Sequence, residues 1–456
     1  METDRAQTKG GKRGAFLLGL KSGVSGADRF MTHVEVAIVG GGPAGLAAAA
    51  EAQASGARVL LLEERPILGG RAMVVPGARG LTEGLMRGLG AAEVWRQSTV
   101  WNLSGRTLAV LRSGQVEFVV ANAVILATGA REVMVPFPGW TLPGVTTLQG
   151  GWELLRAGRV AAEASPAVVT GGPESVALAL RLAERGVAVV FVGEQRPPGL
   201  PDAIRYVPGT VVEAAGEGAV ERVVLASGNV EECHLLCVES PRVPAVELAR
   251  VAGCPCLYHP QLGGVVPHYD PCFALHGPTS RLFIAGDASG VDTPRAAAES
   301  GRLAARCALD TLGLLPDPVA RIEEARRRLA SVSGSLRGRI REAHMLGAPP
   351  EEVVGRWDAR EETVMCPCEG VTVSDLRAAV EEGAATPDDL KRWTRCGMGS
   401  CQWRRCGEPI LRWLSAVLGV PVGRLPLPRL RPPVAPVPLG ALAGVEEVRS
   451  SCIKSN

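Results

Sequence analysis

Val34-Glu35-Val36-Ala37-Ile38-Val39-Gly40-Gly41-Gly42-Pro43-Ala44-Gly45 carries an apolar run straight into a glycine turn. A small-residue helix, Leu46 through Ala54, comes next, and a second apolar run, Val59 to Leu62, ends on Glu63. Strand, glycine turn, helix, strand and acid in one register open a Rossmann-like unit that binds a dinucleotide. Gly40 permits the tight turn, Gly42 lets the backbone approach a pyrophosphate, and Gly45 lets the helix pack on the strand, with Pro43 and Ala44 completing the cofactor-binding turn. The helix N-terminus then offers free N–H groups and its dipole to the phosphates. Glu63 stands where an acid accepts hydrogen bonds from a ribose, and Glu64 is its adjacent competitor.

Two later segments argue for FAD in place of NAD. Val124-Ile125-Leu126-Ala127-Thr128-Gly129 is a buried strand ending in a small-residue turn, preceded by a hairpin-like stretch from Thr107 to Val120 around Ser113-Gly114. Leu282-Phe283-Ile284-Ala285-Gly286-Asp287 repeats that form and leads into a helix from Pro294 to Leu309. Both resemble the A-T-G and G-D motifs of two-dinucleotide-binding-domain flavoproteins. That resemblance implies that Asp287 holds the ribityl chain of the flavin, with Gly286, Thr128 and Gly129 beside it. Gly69-Gly70-Arg71 resembles the segment that runs along the flavin in the same superfamily, which places Gly70 and Arg71 among the cofactor contacts.

A second strand–turn–helix unit starts at Ala167-Val168-Val169-Thr170-Gly171-Gly172-Pro173-Glu174-Ser175, with its helix running to about Arg185 and a strand from Val187 to Val192. Aligned on Gly172-Pro173, the first fingerprint glycine is Thr170 and the last is Ser175. Two added Cβ atoms crowd the turn, so the unit reads as a nucleotide-type fold kept for structure, with NAD(P) not expected. Cys233, Cys237, Cys254, Cys256 and Cys272 read as packing residues, and the spacing of Cys254-Pro255-Cys256 is not that of a dithiol reductase.

Near the C-terminus stand Cys366-Pro367-Cys368 and Cys401-Gln402-Trp403-Arg404-Arg405-Cys406. Two helices, Val373 to Glu381 and Asp388 to Trp393, are predicted between them and would bring the pairs together. Four thiolates at this spacing suit a [2Fe–2S] cluster, with Gly397, Gly399 and Ser400 letting backbone N–H groups come close. Zinc is the competing occupant, although its usual knuckles are spaced differently. Cys396 is a fifth cysteine in reach whose spacing matches neither pair. Arg392, Arg395, Arg404 and Arg405 would offset the negative charge of a cluster.

Cys366-Pro-Cys-Glu-Gly-Val-Thr372 with Arg395-Cys-Gly-Met-Gly-Ser-Cys-Gln-Trp-Arg-Arg-Cys406 resembles the bacterioferritin-associated-ferredoxin type of [2Fe–2S] domain. The version here is similar to that in the α subunits of opine oxidase, hydrogen cyanide synthase and dye-linked proline or hydroxyproline dehydrogenases. Pro136 to Val145 and the stretch from Arg431-Pro432-Pro433 to Pro438-Leu439-Gly440 agree with that family, so the resemblance runs from about Val34 to the Pro-rich tail. It implies an electron-transferring subunit with FAD and a [2Fe–2S] centre at Cys366, Cys368, Cys401 and Cys406, and leaves open an FMN held between subunits. The partner it implies is a β subunit resembling D-amino-acid oxidases, with its own FAD, that oxidises an opine, proline, hydroxyproline, glycine or sarcosine. A small ferredoxin-like subunit, and a quinone or carrier protein as acceptor, complete the implied assembly. A self-contained NAD(P)H-dependent FAD and [2Fe–2S] reductase is the alternative enzymatic reading.

No general base or nucleophile constellation stands out, so no catalytic residue is assigned. The six histidines, His33, His234, His259, His268, His276 and His344, read as scattered structural residues. The expected fold class is α/β: two Rossmann-like three-layer domains of the FAD and NAD(P) type, one inserted in the other, plus a small helical C-terminal [2Fe–2S] domain. The expected boundaries are 31–150 with 265–312 for a discontinuous flavin domain and 151–264 for the insertion. A helical linker at 313–360, a cluster domain at 361–420 and a Pro-rich tail at 421–456 follow, and residues 1–30 read as a disordered extension or misassigned start.

Length and composition agree with that reading. A chain of 456 residues with a net charge of +2 has room for two or three cores and shows no sign of a nucleic-acid partner. No apolar run reaches the ~20 residues that cross a bilayer. Twelve cysteines, densest near the C-terminus, suit a reducing cytoplasm, with any association with the inner face of the membrane made through partners.

Overall fold

The first strand, Met31–Val39, begins ahead of its apolar run, because Met31, Thr32 and His33 still pair in parallel with Phe118, Val119 and Val120. The helix behind the glycine turn, Pro43–Ala54, likewise begins before Leu46. Proline suits that first position, where its missing N–H would have no helical partner. The computed structural model describes residues 31–75, 77–160, 166–333, 336–345, 347, 352–355 and 359–443; the expected extension at 1–30 lies outside them.

Helix Pro43–Ala54 buries a face made mostly of alanine, which allows close approach to helix Pro294–Thr311. A Cβ on Gly301 would sit 2.1 Å from the Ala44 carbonyl oxygen, so glycine is required at that contact. Beside these helices lies a seven-stranded sheet in the order Glu93–Trp95, Val59–Leu62, Met31–Val39, Gln115–Leu126, Thr107–Arg112, Ser98–Ser104, with Leu282–Ile284 added next to Gln115–Leu126. Strand Gln115–Leu126 is long enough to serve two neighbours on one edge. Gln115 to Val120 pair antiparallel with Thr107–Arg112, and Val124 to Leu126 pair in parallel with Leu282–Ile284. A segment far downstream thus returns Gly286 and Asp287 to the first sheet.

The second sheet has five parallel strands in the order Arg205–Pro208, Val189–Gly193, Ala167–Thr170, Leu235–Val238, Val145–Thr147. Its last strand comes from before the expected boundary at 151. Val145 pairs with Leu236, and Thr147 then caps helix Leu148–Arg156 by accepting from the Gly150 N–H at 3.3 Å. The chain passes between the sheets through Ala130–Glu132 and Arg242–Pro244, which pair antiparallel with each other. The fold is α/β, with two Rossmann-like units, one inserted in the other, and a smaller helical C-terminal unit.

That C-terminal unit contains the two predicted helices, Val373–Glu381 and Pro387–Thr394, and a third, Gly407–Leu418. Capping boxes open the first two: Thr372 with Asp375, and Thr386 with Asp389. Its core, around Trp413, Leu390 and Ile410, also takes in Tyr258 from the hairpin Cys256–His259 and Gly264–Pro267. Between the units run helices Pro318–Val332 and Leu336–Met345, in the segment predicted to be helical.

The histidines are less scattered than the sequence suggests. His259 and His268 each place their ring 5.7 Å from that of His344, with Tyr269 at 5.0 Å. Burial pushes the pKa of all three imidazoles down, His259 to about 4, so they pack as neutral rings. No helix among the described residues is long and apolar enough to cross a membrane.

Candidate cofactor cavity and cysteine centre

One cavity collects nearly all the residues singled out by the flavin-type motifs. Gly40, Gly42, Pro43, Ala44, Glu63, Glu64, Gly70, Arg71, Thr128, Gly129, Gly286 and Asp287 line it. Gly45 does not, because it lies beneath the turn, where a Cβ would come 1.8 Å from the Gly40 carbonyl oxygen. Gly40 has φ +110° and would bring a Cβ to 2.2 Å from the Ala127 oxygen. At Gly42, by contrast, a Cβ would meet nothing within 4 Å: that position faces open space beside the N-terminus of helix Pro43–Ala54. An open glycine turn at a helix start, in a cavity rimmed by acids, fits a dinucleotide with phosphates at the turn and riboses at the acids.

The acids are held in place by backbone. Glu63 accepts from the Gly41 N–H at 2.5 Å and from the Arg65 N–H at 2.8 Å, so one carboxylate ties the turn to the end of strand Val59–Leu62. Burial raises its pKa, and those two N–H bonds oppose the shift. Asp287 accepts from the Asp292 N–H at 3.2 Å and lies 3.8 Å from the Arg242 guanidinium. Its pKa is also raised by burial, against the pull of Arg242 and Arg71. The Thr128 hydroxyl donates to the Ala245 carbonyl at 2.6 Å and the Ala245 N–H donates to the Gly129 carbonyl at 2.9 Å, fastening this turn to the returning crossover.

Several walls of the cavity come from outside the flavin-type motifs. Arg131, Glu247, Asp292, Val434 and Arg404 line it. Arg404 belongs to the loop between Cys401 and Cys406. Arg131 Nε donates to the Arg404 carbonyl at 3.0 Å while its Nη2 pairs with Glu247 at 2.6 Å, so one side chain joins the cavity rim to that loop. Val434, in the Pro-rich tail, is fixed there by its N–H bond to the Trp101 carbonyl at 2.9 Å.

The second turn is closed by a residue that carries no motif of its own. Glu239, just beyond strand Leu235–Val238, accepts from the Gly172 N–H at 2.7 Å. Its own N–H donates to the Thr170 hydroxyl at 3.3 Å, so Thr170 helps seat it. Glu174, in the first turn of helix Pro173–Glu184, pairs with Arg71 at 2.7 Å. Two carboxylates therefore stand beside the second turn, one on the Gly172 N–H and one in the first turn of the helix. Arg71, expected at the flavin, faces the cavity and also reaches into the second unit.

Cys366, Cys368, Cys401 and Cys406 come together. The Cys406 thiol contacts the sulfurs of Cys366 and Cys401, and Cys401 also contacts Cys368. The hydrogen bond from Cys406 holds Cys366 down at about 6 and Cys401 at about 5, while Cys406 itself is pushed far up. The Gly397 N–H donates to Cys366 Sγ at 3.4 Å, the kind of backbone contact expected of a small residue. Gly399 is small for another reason: a Cβ there would lie 2.4 Å from that of Cys368. Gln402 and Trp403, at φ 48° and 73°, hold the loop in a left-handed conformation unusual for such residues. Cys396 is fully buried, and desolvation raises its thiol to about 11.

Among the described residues, no group of three or more His, Cys, Asp or Glu side chains closes on a single metal ion. The thiol contacts run as a chain, from Cys366 through Cys406 and Cys401 to Cys368, and four thiols are a donor set that both an iron–sulfur cluster and zinc accept. Of the nearby arginines, Arg395 and Arg392 are exposed and already paired, with Glu369 at 3.0 Å and Asp389 at 3.1 Å. Arg404 donates to the Cys401 carbonyl at 3.0 Å.

Comparison with known proteins matches residues 34–301 to the pyridine nucleotide-disulphide oxidoreductase family and residues 361–445 to the sarcosine oxidase A3 domain. The chain is 31% identical to an opine oxidase subunit of Agrobacterium tumefaciens, over 92% of this chain and 93% of that one. It is 32% identical to the HcnB subunit of hydrogen cyanide synthase from Pseudomonas protegens, over 89% and 96%. The alpha subunit of sarcosine oxidase from a Corynebacterium species is 28% identical over 91% of this chain, which matches 46% of that longer protein. In fold, the chain is similar to L-proline dehydrogenase from P. horikoshii, with a TM-score of 0.72, 23% identity, and coverage of 90% and 80%. An open dinucleotide cavity in the first Rossmann-like unit, with this agreement along nearly the whole chain, makes the protein an oxidoreductase of the pyridine nucleotide-disulphide oxidoreductase family, in the branch that holds these opine oxidase and hydrogen cyanide synthase subunits.

Proposed function

We propose that this chain is the electron-transferring subunit of a hetero-oligomeric flavoprotein dehydrogenase or oxidase acting on a secondary amine or amino acid. FAD would occupy the cavity and a [2Fe–2S] cluster the four-cysteine centre. Bound there, the flavin would exchange two electrons and the cluster one at a time, which matches a pair-wise donor to a single-electron acceptor. Gly42 and the start of helix Pro43–Ala54 face the phosphates, Glu63 and Glu64 the riboses, and Asp287 with Gly286 the ribityl chain. The observation that carries the reading is Arg404, which lies between two of the cysteines and lines the same cavity as Gly42 and Asp287. The two centres thus share a wall, fastened by Arg131.

Substrate chemistry falls to a partner subunit resembling D-amino-acid oxidases, in keeping with relatives named as subunits of opine oxidase, hydrogen cyanide synthase and sarcosine oxidase. An opine, proline, hydroxyproline, glycine or sarcosine is its substrate class. The carboxylates of Glu239 and Glu174 in the second turn argue against NAD(P)H as the electron source. The test is freeze-quench EPR of the co-purified complex after addition of such an amine. A reduced-cluster signal that follows flavin bleaching is expected, and is lost in Cys401→Ser with flavin retained. Flavin bleaching in the complex with no cluster signal would overturn the relay.

A further inference from the structure

Strand Ser98–Ser104 lies at the end of the first sheet, so one of its edges faces no other strand. Its pairing with Thr107–Arg112 skips from Val100 to Asn102, which leaves Trp101 as the extra residue of a bulge. A bulge takes a residue out of the ladder and re-aims it. Here the Trp101 carbonyl accepts from the Val434 N–H at 2.9 Å, and the Trp101 side chain packs with Ala435 and Ala441. The Pro-rich tail is thus seated on the bulged strand. Upstream it is held again, where Arg250 Nη2 donates to the Pro428 carbonyl at 2.5 Å. Pro432, Pro433, Pro436 and Pro438 restrict the backbone on both sides of Val434 and Ala435, so this stretch is preorganised.

The same strand begins at the Glu63 end of the cavity. The Glu63 N–H donates to the Trp95 carbonyl at 2.8 Å, and the Ser98 N–H donates to the Glu63 carbonyl at 2.9 Å. With phosphates at Gly42 and a ribose at Glu63, the base of a dinucleotide belongs beyond Glu63. There the lining includes Thr99, Val100, Val434 and Ala435. None of the four carries a charge, and Val100, Val434 and Ala435 are buried. A small, mostly apolar wall suits a flat heteroaromatic ring better than a phosphate or a sugar.

We propose that Val434 and Ala435 form the adenine wall of this nucleotide site, so that the C-terminal tail completes a pocket begun by the first Rossmann-like unit. The inference rests on the dinucleotide reading of the cavity and adds to it the residues that meet the base. Both lie outside residues 34–301, the segment that matches the oxidoreductase family. The ligand class is a nucleotide with an adenosine diphosphate end, which FAD and free ADP share. The base would sit on one side of the tail and Trp101 on the other. Lifting the tail then breaks the contact with the base, so a bound nucleotide opposes that opening.

Hydrogen exchange and calorimetry on the full chain, stripped of nucleotide, test this with ADP and with inorganic pyrophosphate, which lacks a base. Saturating ADP should slow amide exchange across residues 428–443 by about tenfold or more, whereas pyrophosphate should leave it unchanged. Val434→Ala keeps the backbone N–H that bonds to Trp101 and removes only two methyl groups from the wall. It should weaken ADP about fivefold and leave pyrophosphate as in wild type. The tail's role is overturned, with the dinucleotide site left standing, if wild type binds ADP while the tail exchanges at its old rate. The same holds if Val434→Ala binds ADP as wild type does, or loses pyrophosphate as much as ADP. A wild-type chain that binds neither ADP nor FAD overturns the dinucleotide reading and this inference together.

Discussion

Two strand–turn–helix units of one design sit in this chain, and they part company at the turn. In the first, Gly42 faces open space and the helix start is free of side-chain charge. In the second, Gly172 holds the same place but its N–H is taken by Glu239, and Glu174 occupies the first helical turn. The first keeps Gly45 beneath the turn, whereas the second has Ser175, whose side chain is accommodated and fully buried. Two units can therefore keep the same strand–turn–helix order and differ in what lies at the turn.

The largest expected effect comes from pushing the first turn toward the second. Gly45→Val places side-chain atoms against the Gly40 backbone, where even a Cβ has 1.8 Å. A loss of about 3 kcal/mol or more is expected, read as a lower melting temperature and absence of flavin in the purified chain. Gly172→Ala is a control placed in the second turn. Its nearest neighbour, Glu239 Oε2, would be 3.7 Å away, so the melt should hardly move. Equal damage from both changes would erase the distinction drawn here.

Next in size is the reverse experiment. Glu239→Ala frees the Gly172 N–H and removes one of the two carboxylates from the second turn. Calorimetry with ADP-ribose should show affinity rising by about tenfold over wild type, worth about 1.4 kcal/mol, in line with one charged hydrogen-bond partner exchanged. No gain would mean that Thr170 and Ser175 suffice to close the site.

A smaller effect concerns the cost of keeping the first cavity charged. Burial raises the pKa of Asp287 in the folded chain. A carboxyl raised on folding costs stability at neutral pH, and the cost is relieved as pH falls toward the raised value. Flavin-free Asp287→Asn should thus melt about 2 °C above flavin-free wild type at pH 7. The gap should close as the pH is lowered, and the variant should bind FAD more weakly. A gap that widens on acidification would reverse the sign of this argument.

What the sequence disclosed depended on distance along the chain. The first turn was readable because Gly40, Gly42, Gly45 and Glu63 fall within one short unit and each answers a local steric or hydrogen-bonding demand. The cysteine pairs were readable for the same reason. Glu239 was not, because its partner Gly172 lies 67 residues away and an exposed glutamate carries no pattern of its own. Arg404 was marked only as a charge near the cysteines. Its place in the cavity wall depends on Arg131, 273 residues earlier. The histidines around His344 looked scattered because they come from different elements that meet only on packing.

The central claim is that the first turn serves a cofactor and the second does not. Anaerobic titration of the purified chain with NADH, alongside chromatography of nucleotides released on denaturation, tests it most directly. The account predicts one FAD per chain, no bound nicotinamide nucleotide, and a flavin that stays oxidised when NADH is added. Rapid bleaching of the flavin by NADH would contradict it.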